Sequence, residues 1–382
     1  MAREKKIAIV TDFPSDPAAP RGGVESVSVN LVRALAAYDD LDLHVVTEDA
    51  RRTDSIEYAW ERATVHRLRR RGRKVLTNAV GPGRRQMHTF LKSLAPALVH
   101  SHDTYGLMVK GFPGPRVHTI HGFIYGDTLV SNERFARLRS QVWRRIETAG
   151  WGEQPNVVSI SPYVRQHLAP HATGAIHDIE NPISREFFSI ARAEQPLTIF
   201  SAAVICRRKN IMRLVEALAR VTAAGIDAKL RMAGAIVEED YARDVRDRIG
   251  ALGLERHVEW LGGLTSAGVR EELSRASVFV LASLEENAPL GIEEAMAAGV
   301  PVVTSNRCGM PYMVSHGETG YLIDPENPDD IARRLVDLLR DAGLRARMGT
   351  RAVEIATARF HPDAVARRTR ELYLQIIGGN VP

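Results

Sequence analysis

Short apolar runs of strand length alternate with amphipathic, helix-length stretches from one end of the chain to the other. Residues 6–10 form the first run. Residues 24–37 follow with apolar side chains at Val24, Val27, Leu31, Ala34 and Leu35, the spacing of one helical face. Runs at 43–46, 97–100, 117–120 and 156–160 continue the series, with a helical stretch over 133–149. The pattern restarts at 197–201. Helix-like segments 210–224, 238–252, 266–275 and 290–298 then alternate with strand-like 228–232, 257–261, 278–281 and 300–304. Repeated strand–helix units predict an α/β fold with parallel sheets covered on both faces, and two series predict two Rossmann-like, doubly wound domains. A joint is expected near Asn181-Pro182, where proline stops regular structure and polar residues 184–195 precede the next strand. The expected bounds are 1–185 and 186–361.

Length and composition agree with two globular domains. The chain has 382 residues, 45% hydrophobic and 25% charged, whereas single cores stop growing at roughly 250–300 residues. The charged start is followed by an apolar run too short for a signal peptide, and no window approaches the roughly 20 apolar residues of a membrane span. The two cysteines, Cys206 and Cys308, lack zinc-site spacing. These features lead to the expectation of a cytoplasmic, reduced protein. Charge is uneven: residues 51–92 hold twelve Lys and Arg against three Asp and Glu, centred on Arg67-Leu68-Arg69-Arg70-Arg71-Gly72-Arg73-Lys74. A solvated loop is one reading; peripheral docking on an anionic membrane or an acidic acceptor is the other. Nucleic acid is excluded as a partner, because the cluster lacks interleaved aromatics.

In open α/β sheets, ligands bind beyond the carboxyl ends of the strands. No G-x-G-x-x-G or G-x-x-x-x-G-K-[ST] follows any strand, which argues against dehydrogenases and P-loop enzymes. The richest strand-to-helix turn is Ser283-Leu284-Glu285-Glu286-Asn287-Ala288-Pro289-Leu290-Gly291-Ile292-Glu293-Glu294. A helix starting near Pro289 and ending at Gly299 would offer unpaired amides to a phosphate. Glu286 and Glu294 would oppose an anion there unless they accept hydrogen bonds from sugar hydroxyls, and Glu293 reads as a helix-end charge.

With seven residues between them and Ala-Met-Ala-Ala-Gly behind, Glu286 and Glu294 resemble the E-x7-E motif of retaining family-4 glycosyltransferases of the GT-B fold. Gly22-Gly23-Val24-Glu25 is similar to that family's N-terminal glycine loop. Thr119-Ile120-His121-Gly122 resembles its strand-end histidine, Asn181-Pro182-Ile183 its interdomain crossing, and Arg207-Arg208-Lys209-Asn210 its diphosphate loop. The resemblance implies an acceptor-side first domain and a nucleotide-sugar-binding second domain facing a central cleft, a last helix over 362–382 packing back on the first, Glu294 on the nucleotide ribose and Glu286 on the donor sugar. It gives sugar hydroxyls and phosphate to Ala288, Pro289 and Leu290, and the diphosphate to Lys209. It sets His121 beside the reacting carbon, with Gly22 and Gly23 near a phosphate. Two positions depart from the pattern: Val204 stands where the family carries arginine, and Tyr312 where a glutamate follows the Gly-x-Pro turn. Arg207 and Arg208 are both candidates to replace the missing cation.

His102 and Asp103 are assigned to the acceptor side. His100, His102, His118 and His121 cluster in sequence but lack carboxylate or cysteine partners, so no metal is expected. Asp40-Leu41-Asp42 reads as a surface turn. The implied reaction is retaining transfer from a nucleoside-diphosphate sugar, a UDP-sugar first, to an acceptor hydroxyl or amine, with no cofactor. An epimerase, a phosphorylase and a silent nucleotide-sugar binder are the alternatives.

Overall fold

The computed structural model describes residues 4–72, 75–130 and 135–379. It divides into two compact units, Met1–Pro182 with Pro362–Pro382, and Ile183–His361. The first unit runs β1 (Lys5–Val10), α1 (Gly23–Leu35), β2 (Leu41–Asp49), β3 (Ile56–Trp60), β4 (Ala63–Arg69), α2 (Val75–Val80), α3 (Pro82–Leu94), β5 (Leu98–His102), α4 (Tyr105–Val109), β6 (Arg116–Ile120), α5 (Ile124–Val130), α6 (Ala136–Trp151), β7 (Asn156–Ser159), α7 (Pro162–Leu168) and β8 (Ala175–Asp178). The second runs β9 (Thr198–Ala202), α8 (Ile211–Ala223), β10 (Lys229–Ala233), α9 (Glu239–Ala251), β11 (Val258–Gly262), α10 (Ser266–Arg275), β12 (Val278–Leu281), α11 (Leu290–Ala297), β13 (Val302–Ser305), β14 (Gly320–Ile323), α12 (Pro328–Arg340) and α13 (Ala342–Phe360). The last helix, α14 (Pro362–Ile377), belongs to the first unit.

The first sheet has the order β3-β4-β2-β1-β5-β6-β7-β8 and is parallel except for the β3–β4 pair. From Ile7 onward β1 is buried and carries apolar side chains on both faces. One face packs Val32 and Leu35 of α1 and Tyr373 of α14 against Ile7 and Ile9. The other packs Met87 and Leu91 of α3 and Met108 of α4 against Ala8 and Val10. The alternation of β1 thus separates two cores.

The second sheet is wholly parallel, in the order β11-β10-β9-β12-β13-β14. Helices α8, α9 and α12 cover one face, with Leu214, Leu218, Val245 and Leu335 buried; α10, α11 and α13 cover the other, around Phe200 and Phe279. Each such side chain contributes about 1.5–3 kcal/mol on burial, which exceeds any helix-propensity difference in these segments.

Residues 51–92 are not a loop. They contain the antiparallel hairpin β3–β4 and the helices α2 and α3. Arg67, read from sequence as part of the basic patch, is only 5% exposed, because β4 alternation turns it inward. Its guanidinium donates to the carbonyls of Phe13 and Pro14 and to Tyr58. Arg73 and Lys74 lie outside the described residues, as do the first residues of the stretch read as helical over 133–149. Among the described residues, no helix is long and apolar enough to cross a membrane.

Candidate functional site

In the second unit the chain leaves β9 towards β10 on one side and leaves β12 towards β13 on the other. The carboxyl ends of β9 and β12 therefore flank a topological switch point, where the two following loops diverge and leave a crevice. Two glycines crowd the neighbouring loops against this edge. A Cβ at Gly234 would sit 1.9 Å from the Ala203 carbonyl oxygen, and one at Gly309 would sit 1.8 Å from that of Asn287. Gly309 also donates its amide to Glu286 O at 2.8 Å. Asn210, left-handed at φ 57°, donates its side-chain amide to Ala282 O (3.1 Å) and Pro325 O (2.7 Å) and so pins the first loop to the second. Sequence reading missed the roles of Gly234 and Asn210. The signal available was an asparagine closing a basic turn, since Asn tolerates the left-handed region better than other side chains.

This scaffold brings three of the expected donor residues together. Lys209 Nζ donates to Glu286 Oε1, and Arg208 Nη1 lies 3.2 Å from the same oxygen while donating to Glu285 O at 2.7 Å. Burial pushes the Glu286 carboxyl up, but Lys209 and Arg208 outweigh it and hold the group below its ordinary range, ionised. Arg207 is not part of this cluster. It pairs with Asp240 at 2.8 Å and Asp244 at 3.5 Å, and its guanidinium lies over the Tyr241 ring. Of the two arginines considered as replacements for the cation absent at Val204, only Arg208 joins Glu286. Val204 and Tyr312 are both 38% exposed.

Helix α11 begins at Leu290, with Pro289 extended as its N-cap and no side-chain acceptor. By contrast α7, α10, α12 and α13 are capped by Ser161, Thr265, Asn327 and Asp341. The first amides of α11 are thus left without a side-chain cap, and because Pro289 carries no N–H, the donors nearby are Ala288 and Leu290 onward. Glu293 sits in the first turn of α11 and is fully buried there. Glu294 keeps partial exposure, yet its carboxyl is packed about by protein and has no hydrogen-bonding side chain or amide among the described residues. Burial alone pushes it up to about 8.

In the first unit, α1 starts at Gly23 with Gly22 as an uncapped N-cap. A Cβ at Gly22 would meet nothing within 4 Å, and its φ of −161° suits any residue. His121 follows β6. Its Nδ1 lies 3.0 Å from Asn181 Oδ1, its Nε2 lies 2.8 Å from His102 Nδ1, and its amide donates to Asp103 Oδ1 at 2.8 Å. An amide oxygen accepts, so His121 Nδ1 carries the proton, Nε2 accepts, and His102 donates. Both ring nitrogens of His121 are therefore occupied. His102, assigned to the acceptor side, is only 1% exposed and lies behind His121, so its influence passes through that ring.

His100 continues the stack, 4.4 Å from the His102 ring, and bonds Tyr373 Oη (2.6 Å) and Thr119 Oγ1 (2.7 Å). Burial lowers His100 to about 3 and His118 to about 4, and pushes His102 and His121 down as well, so this cluster is neutral at physiological pH. No group of three His, Cys, Asp or Glu among the described residues is arranged to hold a metal ion. Asp40, in the Asp-x-Asp string, receives a bidentate bond from Arg370 of α14 (2.6–3.1 Å).

Two doubly wound units with charged and amide donors at a switch-point crevice define the GT-B class of glycosyltransferase folds. A sucrose-phosphate synthase structure from Thermosynechococcus elongatus superposes with a TM-score of 0.83 at 22% identity, covering 98% of this chain and 100% of that one. Anabaena HepE in complex with UDP and glucose gives 0.75 at 17%, covering 97% and 100%. The family model "Glycosyltransferase Family 4" matches residues 21–187 and "Glycosyl transferases group 1" matches 182–354. The chain belongs to the family-4 glycosyltransferases of the GT-B fold. An uncharacterised glycosyltransferase of Methanocaldococcus jannaschii is 21% identical over 93% of this chain and 95% of its own length. N-acetyl-alpha-D-glucosaminyl L-malate synthase of Bacillus anthracis is 29% identical over 44% of this chain; the match spans less than half of that relative, 43%.

Proposed function

We propose that this chain transfers a sugar from a nucleoside-diphosphate sugar to an acceptor hydroxyl or amine, with retained anomeric configuration and without a metal. The observation that carries the reading is the meeting of two switch-point loops. They set Lys209 and Arg208 on ionised Glu286, and α11, which follows the second loop, carries a Glu294 carboxyl that no described residue satisfies. A diphosphate entering the crevice competes with Glu286 for Lys209 and Arg208, and the amides of Ala288 and Leu290 add donors at the positive end of α11. Glu286, relieved of its cations, accepts from sugar hydroxyls, and Glu294 accepts from the ribose. The open space at Gly22, with no conformational need for glycine, suits close approach of a phosphate to the start of α1.

Transfer breaks the bond between the anomeric carbon and the diphosphate oxygen. The acceptor oxygen or nitrogen bonds the same face, and its proton passes to the departing phosphate. Lys209 and Arg208 stabilise the negative charge that grows on the leaving group, an electrostatic role that needs no reorganisation during the step. A neutral His121, held by His102 and Asn181, positions rather than titrates, and Asp103 stands with it on the acceptor side. The neighbour HepE was solved with UDP, which makes UDP-glucose the first donor to try. Proton NMR of that donor and of its GDP and ADP counterparts, incubated with the protein and excess chelator, tests the reading. Slow release of sugar whose first-formed anomer keeps the donor configuration is expected. An inverted anomer, or turnover that returns only with magnesium or manganese, contradicts it.

A further inference from the structure

The first unit holds a groove of about 820 Å³, apart from every residue assigned above to donor, acceptor or reacting carbon. That volume is in the range of small-molecule sites, roughly 300–1,000 Å³. One wall is α3 from Pro82 to Ser93, about 16 Å at the rise of a helix, and the other is the β3–β4 hairpin. Strand β4 is parallel to β2, β1, β5 and β6, so the head of the groove lies at the same sheet edge as His121. Four strand spacings, about 19 Å, separate β4 from β6 along that edge.

Two guanidinium groups stand at the head: Arg71, just after β4, and Arg85, in the first turn of α3. Both are exposed, and neither pairs with a carboxylate among the described residues. The turn that carries Arg71 is fixed by its neighbour. Gly72 donates its amide to Oδ1 of fully buried Asn78 at 2.7 Å, and Asn78 donates to Glu48 Oε2 at 2.6 Å. Glu57 is the carboxylate among the described lining residues, and it lies 3.2 Å from His66 Nδ1. Further along, Gln86 Oε1 is buried with no hydrogen-bond partner among the described residues, and Thr89 adds a hydroxyl. A buried acceptor left unpaired in this way calls for a donor from outside. The half-buried ring of Phe90 closes the floor, 4.9 Å from the His66 ring.

We propose that this groove binds an acidic oligosaccharide, a carboxylate-bearing stretch of glycan remote from the sugar that is extended. Carboxylates match the planar forks of Arg71 and Arg85, which can hold them by two parallel hydrogen bonds. Sugar hydroxyls donate to Gln86 Oε1 and exchange bonds with Thr89, and the apolar face of a ring lies against Phe90. The excess of cations over residues 51–92 favours an acidic chain over a neutral one. A lipid surface is the poorer occupant. Leu68 is buried and Ile56 and Phe90 are half-buried, so no apolar side chain of the groove protrudes to enter an acyl layer. The class of ligand rests on the chain's being a glycosyltransferase; the site does not depend on which donor the second unit binds.

Calorimetry of the full chain at low salt tests it, with a galacturonate hexamer, neutral maltohexaose and phosphatidylcholine–phosphatidylglycerol vesicles as probes. Wild type should bind the galacturonate hexamer and bind maltohexaose at least about tenfold more weakly. Arg71→Gln with Arg85→Gln should weaken the acidic hexamer by about five- to tenfold, a range set by exposed charge pairs. Thr89→Trp, which fills the groove without changing charge, should abolish binding. These side chains are exposed, so melting curves should match wild type. Arg51→Gln with Arg69→Gln removes the same charge outside the groove and should leave affinity within about twofold. Any stabilisation by UDP should be the same in all these proteins, so a failure here and a failure of the donor reading are told apart. Wild type that ignores the acidic hexamer, a Thr89→Trp protein that binds it normally, or an equal loss in both arginine pairs would each overturn the proposal. Vesicles held more tightly than the hexamer, and released by the Arg71 and Arg85 pair, would give the groove to lipid and overturn it too.

Discussion

Glu294 carries the clearest chemical consequence at the scale of single residues. A carboxyl held near 8 by burial alone is mostly protonated at neutral pH, whereas ribose hydroxyls donating to it would favour the ionised form. Binding of a nucleotide should then release a proton. Affinity should climb by up to about tenfold per pH unit below 8 and level off above it. Calorimetry in two buffers of different ionisation enthalpy should detect that proton for wild type and not for Glu294→Gln; a pH-independent wild type would remove Glu294 from the ribose. In the free protein the raised pKa works the other way. Its contribution is present below the unfolded value of 4.5 and is lost as pH rises through about 8. The Gln variant should therefore gain on wild type in melting temperature as the solution becomes alkaline. The E-x7-E spacing was readable in sequence, but the partner of each glutamate was not. Which of Arg207 and Arg208 meets Glu286 depends on where α9 puts Asp240 and Asp244, some thirty residues downstream. Arg67 was misread for a similar reason, since its inward direction depends on the register of β4.

Among elements, those with a strong period were legible: β1, β2 and the strand–helix series of the second unit stand where their apolar runs predict. The hairpin β3–β4 was hidden because its edge position lets polar and basic side chains alternate through it, which resembles a solvated loop. β8 and β14 are no shorter than β12, but they are partly exposed, so no continuous buried apolar run marks them. The switch-point loops depend on close backbone approaches that leave little trace beyond a glycine, and two substitutions separate these cases. Gly309→Ala puts a Cβ into the Asn287 carbonyl and should cost about 1–3 kcal/mol, lowering the melting temperature and loosening the Glu286 loop. Gly22→Ala meets no neighbour, so its melting temperature should stay within noise while nucleotide-sugar affinity falls. Thermal unfolding with and without ligand reads both. A stable Gly309→Ala protein with full affinity would mean that the loop packing does not shape the site.

For the whole molecule, the chain builds two doubly wound units and returns its last helix to the first, where Arg370 grips Asp40 and Tyr373 bonds His100. Two series of strand–helix repeats announced the two units, because parallel sheets buried on both faces write themselves as continuous apolar runs. The central claim is that the crevice of the second unit grips a nucleoside diphosphate through Lys209, Arg208 and the start of α11. The most direct measurement is thermal unfolding of wild type and Lys209→Met with UDP, GDP and ADP at saturating concentration. At about 100 times its Kd, the correct nucleotide should stabilise wild type by about 2.7 kcal/mol and Lys209→Met far less. No shift of wild type with any of the three, or an equal shift in both proteins, would contradict the account.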